Sequence, residues 1–247
     1  MNIYSNHTNI LKAASIAIAL TFFSLSQAFA QEIQLVFVDH LTAGLIEQDI
    51  FVEKEAGSGE VYRILPTEKQ KYMDAPLYKS TKKLKHDPFD PTTAGPFEKG
   101  EEMGMTLREW LAAKGTASYE CEGGWGSFNA SFQGLVPNAK YTLWHAFMAK
   151  AATKPFAGTI DLPLGDPNGE TSVFMTDENG TAIIEKKFER CLQLGEVQLM
   201  SLVAIAYHSD GKTYNADAGP FGLGTHVQIF AVLPDTEKPL KEISGDN

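Results

Sequence analysis

Three histidines stand at the ends of apolar, alternating segments of this chain: His145, His208 and His226. Three neutral imidazoles suit zinc or copper and leave a fourth position for water. A ligand imidazole also needs its second ring nitrogen held by a carboxylate or a carbonyl. Asp210, two residues after His208, is one candidate for that role, and a backbone carbonyl is the other. The plain alternative is that each histidine is a half-buried polar residue, hydrogen-bonded near a strand end.

The segment His208-Ser209-Asp210-Gly211-Lys212-Thr213-Tyr214 is polar and carries an aromatic ring. Asp210 and Tyr214 are therefore candidate ligand-binding residues, and equally the parts of a surface turn closed by Asp210-Gly211. The carboxylate spacing fits no standard calcium loop. Gly219-Pro220-Phe221-Gly222-Leu223-Gly224 is rich in glycine but leads into an apolar strand pattern, so it lacks the helix N-terminus that would hold a phosphate and reads as a flexible return loop. Trp110, Trp125, Trp144, Tyr207 and Tyr214 could line a carbohydrate platform or fill a core. Neither Gly-x-Ser-x-Gly nor His-Glu-x-x-His occurs, and no catalytic residue is assigned.

The elements that must position these groups follow from periodicity. One helix is marked near 106–114: Thr106 and Glu109 fit a capping box, Leu107, Trp110 and Leu111 share a face, and Gly115 follows as a left-handed stop. From Thr116 onward the pattern has period two. Phe128, Ala130 and Phe132 alternate with Asn129, Ser131 and Gln133, and Tyr141, Leu143, His145 and Phe147 share one face. Segments 171–176 and 181–188 flank Asp177-Glu178-Asn179-Gly180, whose Asn-Gly is a favoured hairpin corner. Residues 200–207 form a nearly continuous apolar run, as in a central strand, and 226–233 read as a closing strand. Many short strands with turns between them point to an antiparallel sandwich.

Read in order, these strands resemble the copper/zinc superoxide dismutase family. Gly134, Leu135 and Pro137 match its Gly-Leu-x-Pro, His145 matches the second of two copper histidines, and Phe147 the phenylalanine after it. Asp177, Gly180 and Ala182 match its Asp-x-x-Gly-x-Ala, and Ala204-Ile205-Ala206-Tyr207-His208 its late strand ending in a ligand histidine. Gly222-Leu223-Gly224-Thr225-His226 sits where the family returns into its last strand, with His226 near the place of its anion-guiding arginine. The likeness spans about residues 117–235 and implies a Greek-key connection of the strands. Leu143 replaces the first copper histidine, and the bridging histidine, zinc cluster and arginine are missing. The likeness therefore does not imply dismutase activity of the family type. Other tokens, such as 104–113 and 207–214, resemble a group of secreted bacterial proteins to which no activity attaches.

The whole chain is then organised as a signal peptide (1–30), an irregular N-terminal extension (31–115), a β-sandwich (116–235) and a polar tail (236–247): mostly β, an antiparallel Greek-key β-sandwich with one short helix. In the first thirty residues Lys12 is the only charged side chain, the apolar run after it is too short to span a bilayer, and Ala28-Phe29-Ala30 offers a cleavage site. A periplasmic or secreted protein with no membrane anchor after cleavage is expected. Cys121 and Cys191 are the only cysteines. In an oxidising compartment they are expected to form a disulfide. The formal net charge of −10 and the absence of a basic stripe argue against nucleic acid as a partner. The cluster around Lys79, Lys82, Lys83 and Lys85 reads as a solvated loop.

Three functions are compatible with this reading. One is a non-catalytic secreted β-sandwich binding a small ligand, a metal or a cell-envelope component. A second is a copper- or zinc-dependent oxidoreductase with a reduced histidine set. The third is a structural envelope or adhesion module. Oligomeric state is not readable from the sequence.

Overall fold

The computed structural model of the chain describes residues 32–84, 87–151, 156 and 158–236. The expected signal peptide, Lys85 and all of the expected polar tail but Thr236 lie outside the described residues. The described strands are β1 (Ile33–Phe37), β2 (Phe51–Val52), β3 (Glu60–Val61), β4 (Pro76–Ser80), β5 (Phe97–Thr106), β6 (Lys114–Glu122), β7 (Trp125–Gln133), β8 (Lys140–Ala149), β9 (Thr159–Pro163), β10 (Val173–Met175), β11 (Ala182–Phe188), β12 (Leu199–His208) and β13 (Thr225–Val232); a single helical turn, α1 (Leu107–Trp110), precedes β6.

Two antiparallel sheets make a β-sandwich. One has the order β1-β6-β7-β11; the other runs β10-β8-β12-β13, with β9 paired to β8 beside β10. Alternation explains the first sheet. Phe128, Ala130 and Phe132 point inward from β7 while Asn129 and Ser131 face out, because successive strand side chains take opposite faces. Between the sheets lies a core of Phe37, Tyr119, Phe128, Phe132, Tyr141, Leu143, Val203, Ile205 and Ile229, among others. In the second sheet, β8 and β12 are buried on both faces. Their outer face carries a second cluster, in which Leu45 and Phe221 pack on Trp144, Ala146, Ala204 and Ala206.

The connections are Greek-key. From β7 the chain crosses to β8 in the opposite sheet, folds back through β9 and β10 along one edge of β8, and returns as β11 beside β7. The turn at Asp177 to Gly180 is consequently not a hairpin corner. Its flanking strands lie in different sheets, β10 on β8 and β11 on β7. The local turn chemistry is as expected: Asp177 Oδ1 accepts from the Asn179 and Thr181 amides, and Gly180 has φ +70°. That chemistry fixes a reversal of direction and not which strands then pair.

The capping box also forms, with Glu109 N–H donating to Thr106 Oγ1 and Thr106 N–H to Glu109. The helix ends after one turn, however, because Lys114 already begins β6. Gly115 is no left-handed stop: it lies in β6 opposite Phe132, and a Cβ there would stand 2.4 Å from the Phe132 ring.

The extension is irregular in its pairing, yet it carries secondary structure. β1 joins the sandwich as an edge strand on β6, and β2, β4, β5 and β3 form a small satellite sheet with register shifts. Lys79 and Ser80, expected in a solvated loop, close β4; Lys79 Nζ pairs with Glu101 at 3.0 Å. A third cluster of Leu41, Ile50, Val52, Ile64, Leu77, Leu107 and Trp110 holds the satellite together and reaches Val136 and Tyr207 of the sandwich. The Gly219 to Gly224 loop is not a loose return. Gly222 O accepts from both Ser80 N and Ser80 Oγ, and Gly219 sits against the Tyr214 ring.

Cys121 and Cys191 form a disulfide with their Cα atoms 5.5 Å apart, joining the end of β6 to the segment after β11. No described helix is long and apolar enough to cross a membrane.

Candidate functional site

The three histidines do not converge. His145 faces the inter-sheet core from β8, opposite Val203 on β12. His226 on β13 lies opposite Tyr207, on the far side of β12 from His145 and four residues, or about 13 Å of strand rise, further along it. His208 neighbours His226 by one rung, yet alternation sends it to the outer face, where its Nε2 meets Thr142 Oγ1 at 2.8 Å. Among the described residues no group of three or more His, Cys, Asp or Glu side chains is placed to hold a metal ion. The expected copper or zinc centre of His145, His208 and His226 is therefore corrected. The strand pattern put each ring correctly on a strand, but the sheet pleat and the length of β12 separate them.

Asp210 and Tyr214 are brought together, with each other. The Tyr214 hydroxyl donates to Asp210, which also accepts from the Lys212 amide. The hydrogen bond to the Asp210 carboxylate, and then burial, push Tyr214 up to about 12. This pair locks the turn after β12. The candidate aromatic platform is dispersed: Trp110 and Trp144 are buried, and Trp125 stands half-exposed where β7 leaves the β6 turn.

Two of the histidines each contact a serine, and their wiring is opposite. His145 Nδ1 lies 3.0 Å from Arg190, a group that only donates, so Nδ1 must accept and the proton sits on Nε2. That N–H then points at Ser201 Oγ (2.9 Å) and the Gln193 carbonyl (3.2 Å), while Ser201 donates to the same carbonyl. The ring is a donor to its serine and cannot take its proton. Burial first, and the Arg190 charge second, hold His145 down to about 4. With Ser201 and His145 both buried, this is a satisfied core pair.

His226 is wired the other way. Its Nδ1 contacts the Asp49 carbonyl, which can only accept, so Nδ1 carries the proton. Its bare Nε2 lies 2.8 Å from Ser209 Oγ and accepts the hydroxyl proton. Burial pushes His226 down to about 4, so the ring is neutral through the physiological range. Trp110 and Tyr207 pack on it, with ring centroids 6.5 and 6.0 Å away. Asp49 is held in turn by its own carboxylate, which accepts from the Val227 amide of β13.

A cleft opens beside this group, where the satellite core meets the sandwich core. Met103, Met105, Ala112, Leu135, Val136, Pro137 and Tyr207 give it apolar walls around about 430 Å³, with Glu109 and Gln228 as polar groups. Gln228 is fixed by the Tyr141 hydroxyl (2.6 Å) and by the Trp110 carbonyl (3.0 Å). A second hollow of about 290 Å³ shares Val136, Pro137 and Tyr207 with the cleft and is also lined by Lys140, His208 and Ser209. Burial raises the Tyr207 phenol above its ordinary value and keeps it a neutral hydroxyl. Ligand sites are typically concave, apolar and served by a few fixed polar groups within roughly 300–1,000 Å³; the larger hollow has that character.

Sequence reasoning singled out Tyr207, Gly134, Leu135 and Pro137 but did not see that they enclose a cleft. It also missed Ser209 and Asp49. Ser209 lay inside a segment already marked as polar, next to His208, whereas Asp49 is 177 residues from His226 and carries no sequence signal of that contact. Compared with models of known protein families, with curated proteins and with solved structures, the chain matches none.

Proposed function

We propose that this chain is an exported, periplasmic or secreted β-sandwich protein that binds a small, mainly apolar ligand in the cleft over Tyr207. The observation that carries the reading is the cleft itself: a methionine-, valine- and proline-walled hollow of about 430 Å³, open to solvent at the seam of two cores. Methionine suits such a surface because its flexible, polarizable thioether adapts to irregular apolar shapes. Gln228 and the Tyr207 hydroxyl give a polar end of the ligand something to meet. The disulfide supports the exported location.

The Greek-key strand order supports kinship of frame with the superoxide dismutase family, while the dispersed histidines speak against redox chemistry of that kind. A structural module without a site would have no use for an apolar hollow kept open at its surface.

The test is a titration with an apolar fluorescent reporter, 1-anilinonaphthalene-8-sulfonate, on the folded mature chain. Saturable one-to-one binding is expected, and Ala112→Trp, which fills the cleft from an exposed wall position, is expected to weaken it at least tenfold. Unsaturable binding, or equal binding by the variant, rules the reading out.

A further inference from the structure

We infer that Ser209 is an acylatable nucleophile with His226 as its general base, making this end of the sandwich a serine acyl-transfer site for small carboxylic esters. The inference deepens the ligand-binding reading, on which it rests only for the seat of the acyl chain.

Three observations carry it. Ser209 Oγ stands 2.8 Å from His226 Nε2, within the reach a nucleophile and its base require. The Asp49 carbonyl fixes the Nδ1–H tautomer, the role an orienting third group plays in such relays. Ser209 is only partly buried and lines the hollow that shares Val136, Pro137 and Tyr207 with the apolar cleft, whereas Ser201 is sealed in the core. In the reaction the Ser209 oxygen attacks the ester carbonyl carbon as its proton passes to His226 Nε2. The ester C–O bond breaks and the alcohol leaves with that proton. Water then attacks the acyl-serine, gives its proton to His226, and releases the carboxylic acid as the proton returns to Ser209. Lys140, which lines the same hollow and donates to the Gly211 carbonyl, brings positive charge toward the developing oxyanion.

The experiment treats the mature protein with p-nitrophenyl acetate and p-nitrophenyl butyrate, and separately with a fluorophosphonate probe, followed by peptide mass spectrometry. Expected are a burst of one p-nitrophenolate per chain and modification of the peptide containing Ser209, with Ser201 unmodified. Ser209→Ala is expected to abolish both, and His226→Gln to slow labelling by about 10²-fold or more. His226 is fully buried and its replacement can unfold the chain, so Ser209→Ala decides. Labelling is expected to stay level from pH 8 to 6 and to fall only as the pH approaches His226's depressed value of about 4.

No burst and no label, or a label elsewhere that survives Ser209→Ala, overturns the inference, even if the reporter dye still binds. If Ser209 is labelled but Ala112→Trp neither weakens dye binding nor alters the preference for butyrate over acetate, the acylation site stands and the ligand cleft falls.

Discussion

At the scale of single residues, the decisive property of each histidine is which nitrogen carries its proton. Arg190 writes one tautomer on His145, and the Asp49 carbonyl writes the other on His226. Arg190→Met removes a donor and a charge from beside His145. Its pKa should rise from about 4, yet stay below 6.5 because burial, the larger cause, remains; imidazole NMR against pH reads this directly, and an unmoved value would refute the Arg190 assignment. A second consequence concerns stability. His145, His208 and His226 are each held at about 4 chiefly by burial. Between about pH 6.5 and 4 the unfolded chain binds protons at these positions and the folded chain does not. Stability is therefore full above about 6.5 and declines as the pH falls, by about 1.4 kcal/mol per unit for each histidine at most. Urea midpoints at pH 7, 5.5 and 4.5 should drop in that order, and His208→Asn should remove about a third of the slope. A stability that is flat down to pH 5 would contradict the burial of these rings.

At the scale of elements, the sequence was most legible where a period or a cap acts locally. The alternation of β7, the buried run of β12, the closing strand β13 and the Thr106–Glu109 capping box all stand where their residues put them. It was least legible where pairing decides. Asn179-Gly180 makes the turn its composition demands, but the strands on either side answer to β8 and β7, more than thirty residues away. Gly115 shows the same limit: a glycine after a helix reads as a stop, whereas here it clears space for Phe132 arriving from the next strand. Gly115→Val should accordingly be destabilising, by about 1–3 kcal/mol, through overpacking against Phe132 and Phe37. Chemical unfolding measures this; a stability equal to wild type would contradict the close approach of the Phe132 ring.

At the scale of the whole molecule, the two ends of the sandwich are built differently. One end carries the Cys121–Cys191 bridge, with Arg190 and His145 packed behind it. The other carries Tyr207, Ser209 and the seam with the satellite sheet. The even cysteine count, with the expected oxidising compartment, made the bridge legible in advance. The cleft was not, because its walls come from Met103 and Met105, from Val136 and Pro137, and from Tyr207, segments that meet only through long-range packing. The separation of the ends has a measurable result. The bridge closes a loop of 70 residues, and its loss costs about 4 kcal/mol through the entropy of the unfolded chain. Cys121→Ser with Cys191→Ser should thus lower the free energy of unfolding by that amount, and the urea midpoint by that free energy divided by the m-value. Dye binding at the Tyr207 cleft and labelling of Ser209 should persist wherever the double variant is still folded, since neither contact set includes the bridge. Loss of binding in parallel with an intact fold would mean that the two ends are coupled through β8 and β12, the two long strands that run between them.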